Sequence, residues 1–270
     1  MVLIQAWQIN SDLSENSHSR FDRVCNQLES ISTCDFLVLP ELWAEGAFNL
    51  GDIKDQTQNF ELNKLFQLAA LKQMWIWTGT FLTDDDTKVK NRGFLINPNG
   101  ELVLHYDKNM IFTISGNEGK FVSSGVEIPL VIINNFRTAF LTCFDLRFSD
   151  IFEELASHGV ELIVISAAWP LSRIDQWKIL LAARAVECQS FVLGCNGEGT
   201  QMQETLGGET SLFDPNGAKV QEVPESSIEK RLYEIDIEIL TESRTRFPFQ
   251  QFRRTDRGDK NFSRVREYKT

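Results

Sequence analysis

The sequence predicts an α/β protein folded as a four-layer α-β-β-α sandwich, two facing mixed sheets with helices on their outer sides. Three observations carry this. Short, almost wholly apolar runs, Phe36–Leu39 and Leu162–Ser166, have the composition of strands buried on both faces. Segments with apolar residues at helical spacing stand between such runs. The order strand–helix–strand–helix–strand then occurs twice, closed each time by a hairpin turned at Pro-Asn-Gly, 98–100 and 215–217. This is a duplication of architecture, not of sequence. Two like halves, each with a sheet face to bury, are both satisfied when sheet stacks on sheet.

In the first half, Val2–Trp7 reads as a strand. Phe21, Val24, Cys25, Leu28 and Ile31 fall on one helical face, with Ser14 as a start signal. Phe36–Leu39 is the buried strand, ended by Pro40 and Glu41. Leu62, Leu65, Phe66 and Ala69 mark a second helix, and Trp75–Leu82 a third strand. Gly93–Asn97 and Leu102–Tyr106 form the hairpin. Residues Asn109–Glu127 are irregular and polar, a connection long enough to carry function.

The second half begins with Ile128–Ile133 and the strand Phe136–Thr142. Ile151, Phe152, Leu155 and Ala156 define a helix closed by Gly159. Leu162–Ser166 is a buried strand, Trp177, Leu180, Leu181 and Val186 a longer helix, and Phe191–Cys195 a further strand. Thr210–Phe213 and Ala218–Val220 make the second hairpin, and Leu232–Ile237 alternates as a final strand. The segment 241–270 is basic, rich in Arg and Phe, and shows no clear period.

Composition bounds the function. A chain of 270 residues with 42% hydrophobic and 24% charged content can bury a large core. A net charge of −11 argues against nucleic acid, whose phosphates need a basic footprint, and against an anionic membrane surface. Met1–Asn10 lacks the pattern of a secretory signal, and no apolar run is long enough to span a bilayer. The five cysteines, 25, 34, 143, 188 and 195, match no zinc spacing, and three histidines form no metal cluster. Reduced thiols in a cytoplasm are expected.

The chemistry centres on RTAFLTCFDLRFS, residues 137–149. A cysteine in a strand is as a rule a small core hydrophobe. Cys143, however, ends a strand just ahead of a helix, where free N–H groups and the dipole favour an anion. That placement is expected to lower its pKa and make it a nucleophile. A nucleophilic cysteine needs a base, and the usual histidine is not evident. His18 lies on a helix surface, His105 points away from its apolar neighbours, and His158 caps a helix. A Cys-His protease is therefore disfavoured. A carboxylate at a dry rim can take its place. Glu41, following Phe36–Pro40, ends a strand of the first half as Cys143 ends one of the second, so the duplication brings both to one edge. Lys108, after Tyr106-Asp107, can stabilise a developing oxyanion.

These residues resemble the triad of the nitrilase (carbon–nitrogen hydrolase) superfamily. Pro40-Glu41-Leu42-Trp43 with Gly46 and Phe48, Tyr106-Asp107-Lys108 with Phe112, and Cys143-Phe144-Asp145-Leu146-Arg147-Phe148 occur in the family's order. Ala168-Trp169-Pro170, Arg173, Trp177, Ala183–Glu187, Gly194-Cys195-Asn196, Gly207–Ser211 and Asp214–Gly217 extend the match from near residue 2 to about 250. Residues 143–148 and 168–173 look most like the bacterial ω-amidase branch.

The resemblance implies the nitrilase-like sandwich over 1–240 and a C-terminal tail, 241–270, packing on a homodimer partner. It implies no metal and no organic cofactor. Its substrate would be a small ω-amide such as α-ketoglutaramate, hydrolysed to carboxylate and ammonia. Residue by residue, Glu41 matches the general base, Lys108 the oxyanion stabiliser, Cys143 the nucleophile, and Glu118 a second glutamate that positions the substrate or the lysine. The Phe144 N–H would share the oxyanion, while Trp169 and Arg173 would wall the pocket and pair with a substrate carboxylate. Met110 stands where the family has a histidine, and the segment after Phe148 lacks a proline often found there. An N-carbamoyl amide or other small-amide hydrolase is the alternative within the family. A non-catalytic binding protein on the same fold and a redox thiol protein are the alternatives outside it.

Overall fold

The structure, a computed structural model, describes residues 1–12, 14–48, 50, 60–85, 88–114, 118–224, 227, 230–253 and 264–269. The first half supplies β1 (Val2–Trp7), α1 (Ser17–Glu29), β2 (Phe36–Val38), α2 (Asn63–Lys72), β3 (Trp75–Asp85), β4 (Lys88–Ile96) and β5 (Leu102–Asp107). A single helical turn, α3 (Glu118–Phe121), interrupts the connection read as irregular. The second half supplies β6 (Ile128–Ile133), β7 (Phe136–Thr142), α4 (Ser149–Ser157), β8 (Leu162–Ala167), α5 (Ile174–Cys188) and β9 (Phe191–Asn196). After these come β10 (Glu198–Gln201), β11 (Glu204–Gly207), β12 (Ser211–Phe213), β13 (Lys230–Ile235), α6 (Ile237–Arg246) and β14 (Val265–Tyr268).

Two six-stranded mixed sheets result, ordered β13-β1-β2-β3-β4-β5 and β12-β9-β8-β7-β6-β14. β1, β2 and β3 run parallel in the first, and β7, β8 and β9 in the second, which is the expected duplication. Period-2 alternation decides what each strand buries where. Phe36 and Val38 join the core between the sheets, whereas Leu37 and Leu39 join Phe21, Val24, Leu28 and Leu65 of α1 and α2. β8 is buried along its whole length because a sheet covers one face and helices the other.

The seam between the sheets is specific. The Trp77 and Phe140 rings stack at 4.1 Å, a pair worth about 0.5–1.5 kcal/mol beyond the area it buries. Trp77 Nε1 donates to Ser166 Oγ at 2.9 Å, and that hydroxyl donates to the Leu39 carbonyl at 2.6 Å. Ser166 thus ties β8 to the residue that leads into Pro40-Glu41.

Several elements depart from the sequence reading. α1 starts later than Ser14, because Asn16 caps it by accepting from Ser19 N at 2.9 Å. The return of the second hairpin is a single bridge, Phe213 to Lys219, rather than a strand. The β10–β11 hairpin and α6 had no counterpart in the reading. The hairpin is polar, and α6 buries only Leu240 and Ser243, so neither shows a period. β14 pairs parallel with β6 of its own chain, Val265 opposite Ile128. Residues 254–263 and 270 of the basic tail lie outside the described residues.

Gly79 makes room for the functional edge. It has φ +65°, and a Cβ there would fall 1.9 Å from the Pro40 carbonyl oxygen. The β3–β4 register shifts at this point, between Trp77 and Thr80. Gly79→Ala should cost about 1–3 kcal/mol in backbone strain alone and push Pro40-Glu41 outward. Thermal unfolding checks this: an unchanged midpoint would show that the bulge yields without cost.

Candidate active site

The strand ends of both sheets converge on one cleft. Glu41 follows β2, Lys108 follows β5, Glu118 opens α3, Cys143 follows β7 and Ala168 follows β8; all five line a space of about 530 Å³ that is open to solvent. Leu42, Ala47, Phe48, Phe112, Phe144, Arg147, Trp169, Pro170 and Arg173 complete its wall.

Glu41 sits in a tight turn. Leu42, at φ +44°, donates its N–H to Thr80 O at 3.0 Å, and Trp43 Nε1 donates to Thr78 O at 2.9 Å. The turn is thereby fastened to β3. Lys108 is fixed from both neighbours along the backbone, its N–H donating to Asn91 O and its carbonyl accepting from Gly125 N.

The side chains form a closed ionic cluster. Lys108 Nζ lies 2.8 Å from Glu41 Oε1 and 2.9 Å from each Glu118 oxygen. Asn91 Nδ2 donates to Oε1 of both glutamates, at 2.9 and 3.0 Å. Ala168 N donates to Glu41 Oε2 at 3.0 Å and Phe112 N to Glu118 Oε2 at 3.0 Å. Every carboxylate oxygen therefore has a donor, which offsets part of the cost of burying two carboxyl groups and an ammonium almost completely. Burial pulls the Lys108 ammonium down, but Glu118 and Glu41 together outweigh it and hold it well above its ordinary value.

Cys143 does not carry the low pKa expected from its place after a strand. Burial, and next the adjacent Glu41 carboxylate, push the thiol well above its ordinary value, and Lys108 offsets only part of this. The Glu41 carboxylate favours the neutral thiol both by its charge and as a hydrogen-bond acceptor. The expectation failed because it weighed the helix terminus without the burial of the thiol or the carboxylate beside it. The element after Cys143 is also a 3-10 turn, Cys143–Arg147, with α4 starting only at Ser149. Cys143 itself is left-handed at φ +47°, a strained conformation for a residue with a side chain. The turn is gripped at its far end by the Arg184 guanidinium, which donates to Leu146 O at 3.2 and 3.3 Å while pairing with Glu187 at 2.8 Å. As the first N–H groups of a helical turn have no acceptor inside it, the Phe144 N–H is available at the cleft floor.

Trp169 is 98% shielded and serves as a platform. Its indole donates to Arg173 O at 2.9 Å, and the Arg147 guanidinium lies 4.6 Å above its ring. Arg173 lies 5.8 Å from the Phe112 ring. Two guanidinium groups thus face the same cleft, and burial together with Arg173 lowers the Arg147 value. Among the described residues neither arginine forms an ion pair. Met110, the departure from the family's histidine, is not among the lining residues.

Sequence reasoning missed Asn91 and gave Arg147 no role. Asn91 carried a signal: it shares the inward phase of β4 with Gly93 and Leu95, where a neutral polar side chain is out of place unless it has partners. Among the described residues no three His, Cys, Asp or Glu side chains are grouped to hold a metal ion.

A half-buried thiol facing a carboxylate, with an ammonium at the same point, can attack a carbonyl without an imidazole. That chemistry is the family's: residues 3–245 match the profile of the carbon-nitrogen hydrolases, and this chain belongs to that family of amide-hydrolysing enzymes. It is 31% identical over 264 residues to the 2-oxoglutaramate amidase of Paenarthrobacter nicotinovorans, covering 94% of this chain and 90% of the relative. It is 29% identical over 236 residues to omega-amidase YafV of Escherichia coli (strain K12), covering 86% and 88%. The CN-hydrolase superfamily protein XC1258 of Xanthomonas campestris shares the fold with a TM-score of 0.85 at 24% identity, over 96% of this chain and 99% of that one. The nitrilase-superfamily membership and the sandwich expected from the sequence are both found.

Proposed function

We propose that this enzyme hydrolyses the terminal amide of small ω-amides that carry a carboxylate at the other end, α-ketoglutaramate and its like, through a Cys143 thioester. The observation that carries the reading is the pair of guanidinium groups, Arg147 and Arg173, on the wall of the cleft that holds Cys143, Glu41 and Lys108. Two cations without acidic partners among the described residues suit a carboxylate, which guanidinium recognises with charge-assisted hydrogen bonds. The relatives' names, 2-oxoglutaramate amidase and omega-amidase, support the same substrate class.

Glu41 takes the Cys143 proton as the sulfur attacks the amide carbon. Lys108 Nζ and the Phe144 N–H stabilise the resulting oxyanion. The C–N bond breaks, Glu41 returns the proton to the nitrogen, and ammonia leaves. Water then attacks the thioester, losing its proton to Glu41. The C–S bond breaks, the sulfur recovers that proton, and the carboxylic acid departs, giving its remaining proton to solvent to become the carboxylate. Glu118, with both oxygens on Lys108, holds the lysine rather than the substrate.

The test is an ammonia-release panel across α-keto-ω-amides, simple aliphatic amides and N-carbamoyl amino acids, run on the wild type and on Arg147→Met and Arg173→Met. Loss of a charged hydrogen bond is worth about 1.5–3 kcal/mol, so each variant should lose roughly 10- to 100-fold in kcat/KM on carboxylate-bearing substrates and little on simple amides. Equal losses on both classes would remove the carboxylate role. Preference for the carbamoyl series would favour the other family reading.

We also infer a homodimer with the tail after residue 240 at the contact, since Phe247 and Phe252 are 68% and 77% exposed. The same reading has the enzyme in the cytoplasm, where five free thiols remain reduced.

A further inference from the structure

Asp145 lies two residues after Cys143, is fully buried, and is not among the residues that line the cleft. Its carboxylate nevertheless joins three segments. Oδ2 accepts from Thr142 N at 2.8 Å and from the Tyr106 hydroxyl at 2.5 Å, and Oδ1 accepts from Met110 N at 2.8 Å. Thr142 precedes Cys143 directly. Tyr106 and Met110 stand two residues before and two residues after Lys108. The Tyr106 oxygen in turn accepts from Asn109 N and Nδ2, at 3.2 and 3.1 Å, so the whole run 106–110 is laced to this one side chain.

The juxtaposition has a geometric meaning. Lys108 leaves an edge strand of the first sheet, and Cys143 leaves a strand of the second. The Asp145 carboxylate bridges the two segments. It also holds the N–H next to a nucleophile whose own backbone is strained at φ +47°.

We propose that Asp145 is a positioning residue for the hydrolysis, one that sets the distance between the Cys143 sulfur and the Lys108 ammonium without touching the substrate. The inference rests on the roles given above to Cys143 and Lys108. It accounts for why a carboxylate is needed. Asparagine has the same shape but one acceptor oxygen. Its NH₂ must face either Met110 N or the Thr142 N and Tyr106 hydroxyl pair, so at least one tie is replaced by a donor–donor contact. The Met110 contact is made by the backbone, which is why a methionine serves at that position as well as another side chain would.

The test uses Asp145→Asn and Tyr106→Phe in the full chain, with ammonia release giving kcat and KM. The rate of iodoacetamide alkylation at Cys143, read by mass spectrometry, is measured in parallel. Alkylation builds no oxyanion, so it does not need Lys108 in register. A misplacement on the order of 1 Å costs roughly 100-fold in turnover. Asp145→Asn should therefore lower kcat about 100-fold with KM within about threefold and alkylation within about fivefold of wild type. Tyr106→Phe, which removes one tie of three, should lower kcat about tenfold, again with alkylation unchanged. A kcat within about threefold of wild type in Asp145→Asn overturns the proposal, as does a fall in kcat matched by an equal change in alkylation, the mark of a turn that has merely loosened. If Asp145→Asn does not fold, Tyr106→Phe decides alone, and an unchanged kcat overturns. Failure here is distinct from failure of the thioester reading: turnover by a Cys143→Ala variant would sink that reading, whereas a dead Cys143→Ala beside a fully active Asp145→Asn sinks only this one.

Discussion

Cys143→Ala is expected to release ammonia no faster than solution chemistry, a loss on the order of 10⁶-fold, while its unfolding midpoint stays near that of the wild type. In the proposed mechanism the sulfur is the atom that bonds to the acyl carbon, and no other thiol lines the cleft. Of the five cysteines, only Cys143 is partly exposed. Burial raises Cys25, Cys34 and Cys188 to about 12 and Cys195 further still. Iodoacetamide should therefore reach Cys143 first. Because this thiol is itself raised, by burial and then by Glu41, it rests in the protonated form. The free enzyme's alkylation rate should keep climbing as pH increases past the ordinary cysteine value instead of levelling at neutral pH. A plateau below pH 7 would mean a stored thiolate and would contradict the electrostatics of the cluster.

Lys108→Ala should be nearly as severe, with kcat down at least about 10³-fold. Loss of one oxyanion donor alone accounts for roughly 10²–10³. The remainder comes from the glutamates. Without the ammonium, Glu41 and Glu118 become two buried carboxylates sharing the Asn91 amide. Their mutual repulsion is then no longer offset by a cation, and the contact that fixes Glu41 Oε1 is lost. Breaking a buried ion pair by removing one partner also costs about 3–5 kcal/mol of stability. Lys108→Arg should not rescue, since a planar fork cannot present one nitrogen to three carboxylate oxygens as the ammonium does. The check is kcat with unfolding measured alongside, and an Lys108→Ala enzyme within about tenfold of wild type would remove Lys108 from the chemistry.

Much of the sandwich was legible because burial on both faces writes a plain pattern. Phe36–Leu39 and Leu162–Ser166 have no polar phase to confuse, and β2 and β8 lie where those runs lie. The tail was not legible because α6 and β14 rest lightly on the body. With only Leu240 and Ser243 buried in the helix, tertiary contact rather than periodicity decides its shape. The convergence of Glu41, Lys108 and Cys143 was foreseen from strand ends and family motifs. The charge state of the sulfur was not. A rule about helix termini is local, whereas the thiol's value is set first by burial and then by Glu41, distant in sequence and adjacent in space. Asn91 and Asp145 went unread for a related reason. Asn91 stands out only by its inward phase in β4, and Asp145 not at all, until their partners, 50 and 39 positions away, are known.

The hydroxyl of Ser166, caught between Trp77 and the Leu39 carbonyl, has a consequence for how the molecule matures. Glu41 and Lys108 hang from one layer and Cys143 from the other, so the proposed reaction centre needs both halves. Until the two layers close, Cys143 has neither the Glu41 carboxylate nor the Lys108 ammonium beside it. On the proposed mechanism, activity therefore requires both layers, and a fragment carrying one of them is expected to have none.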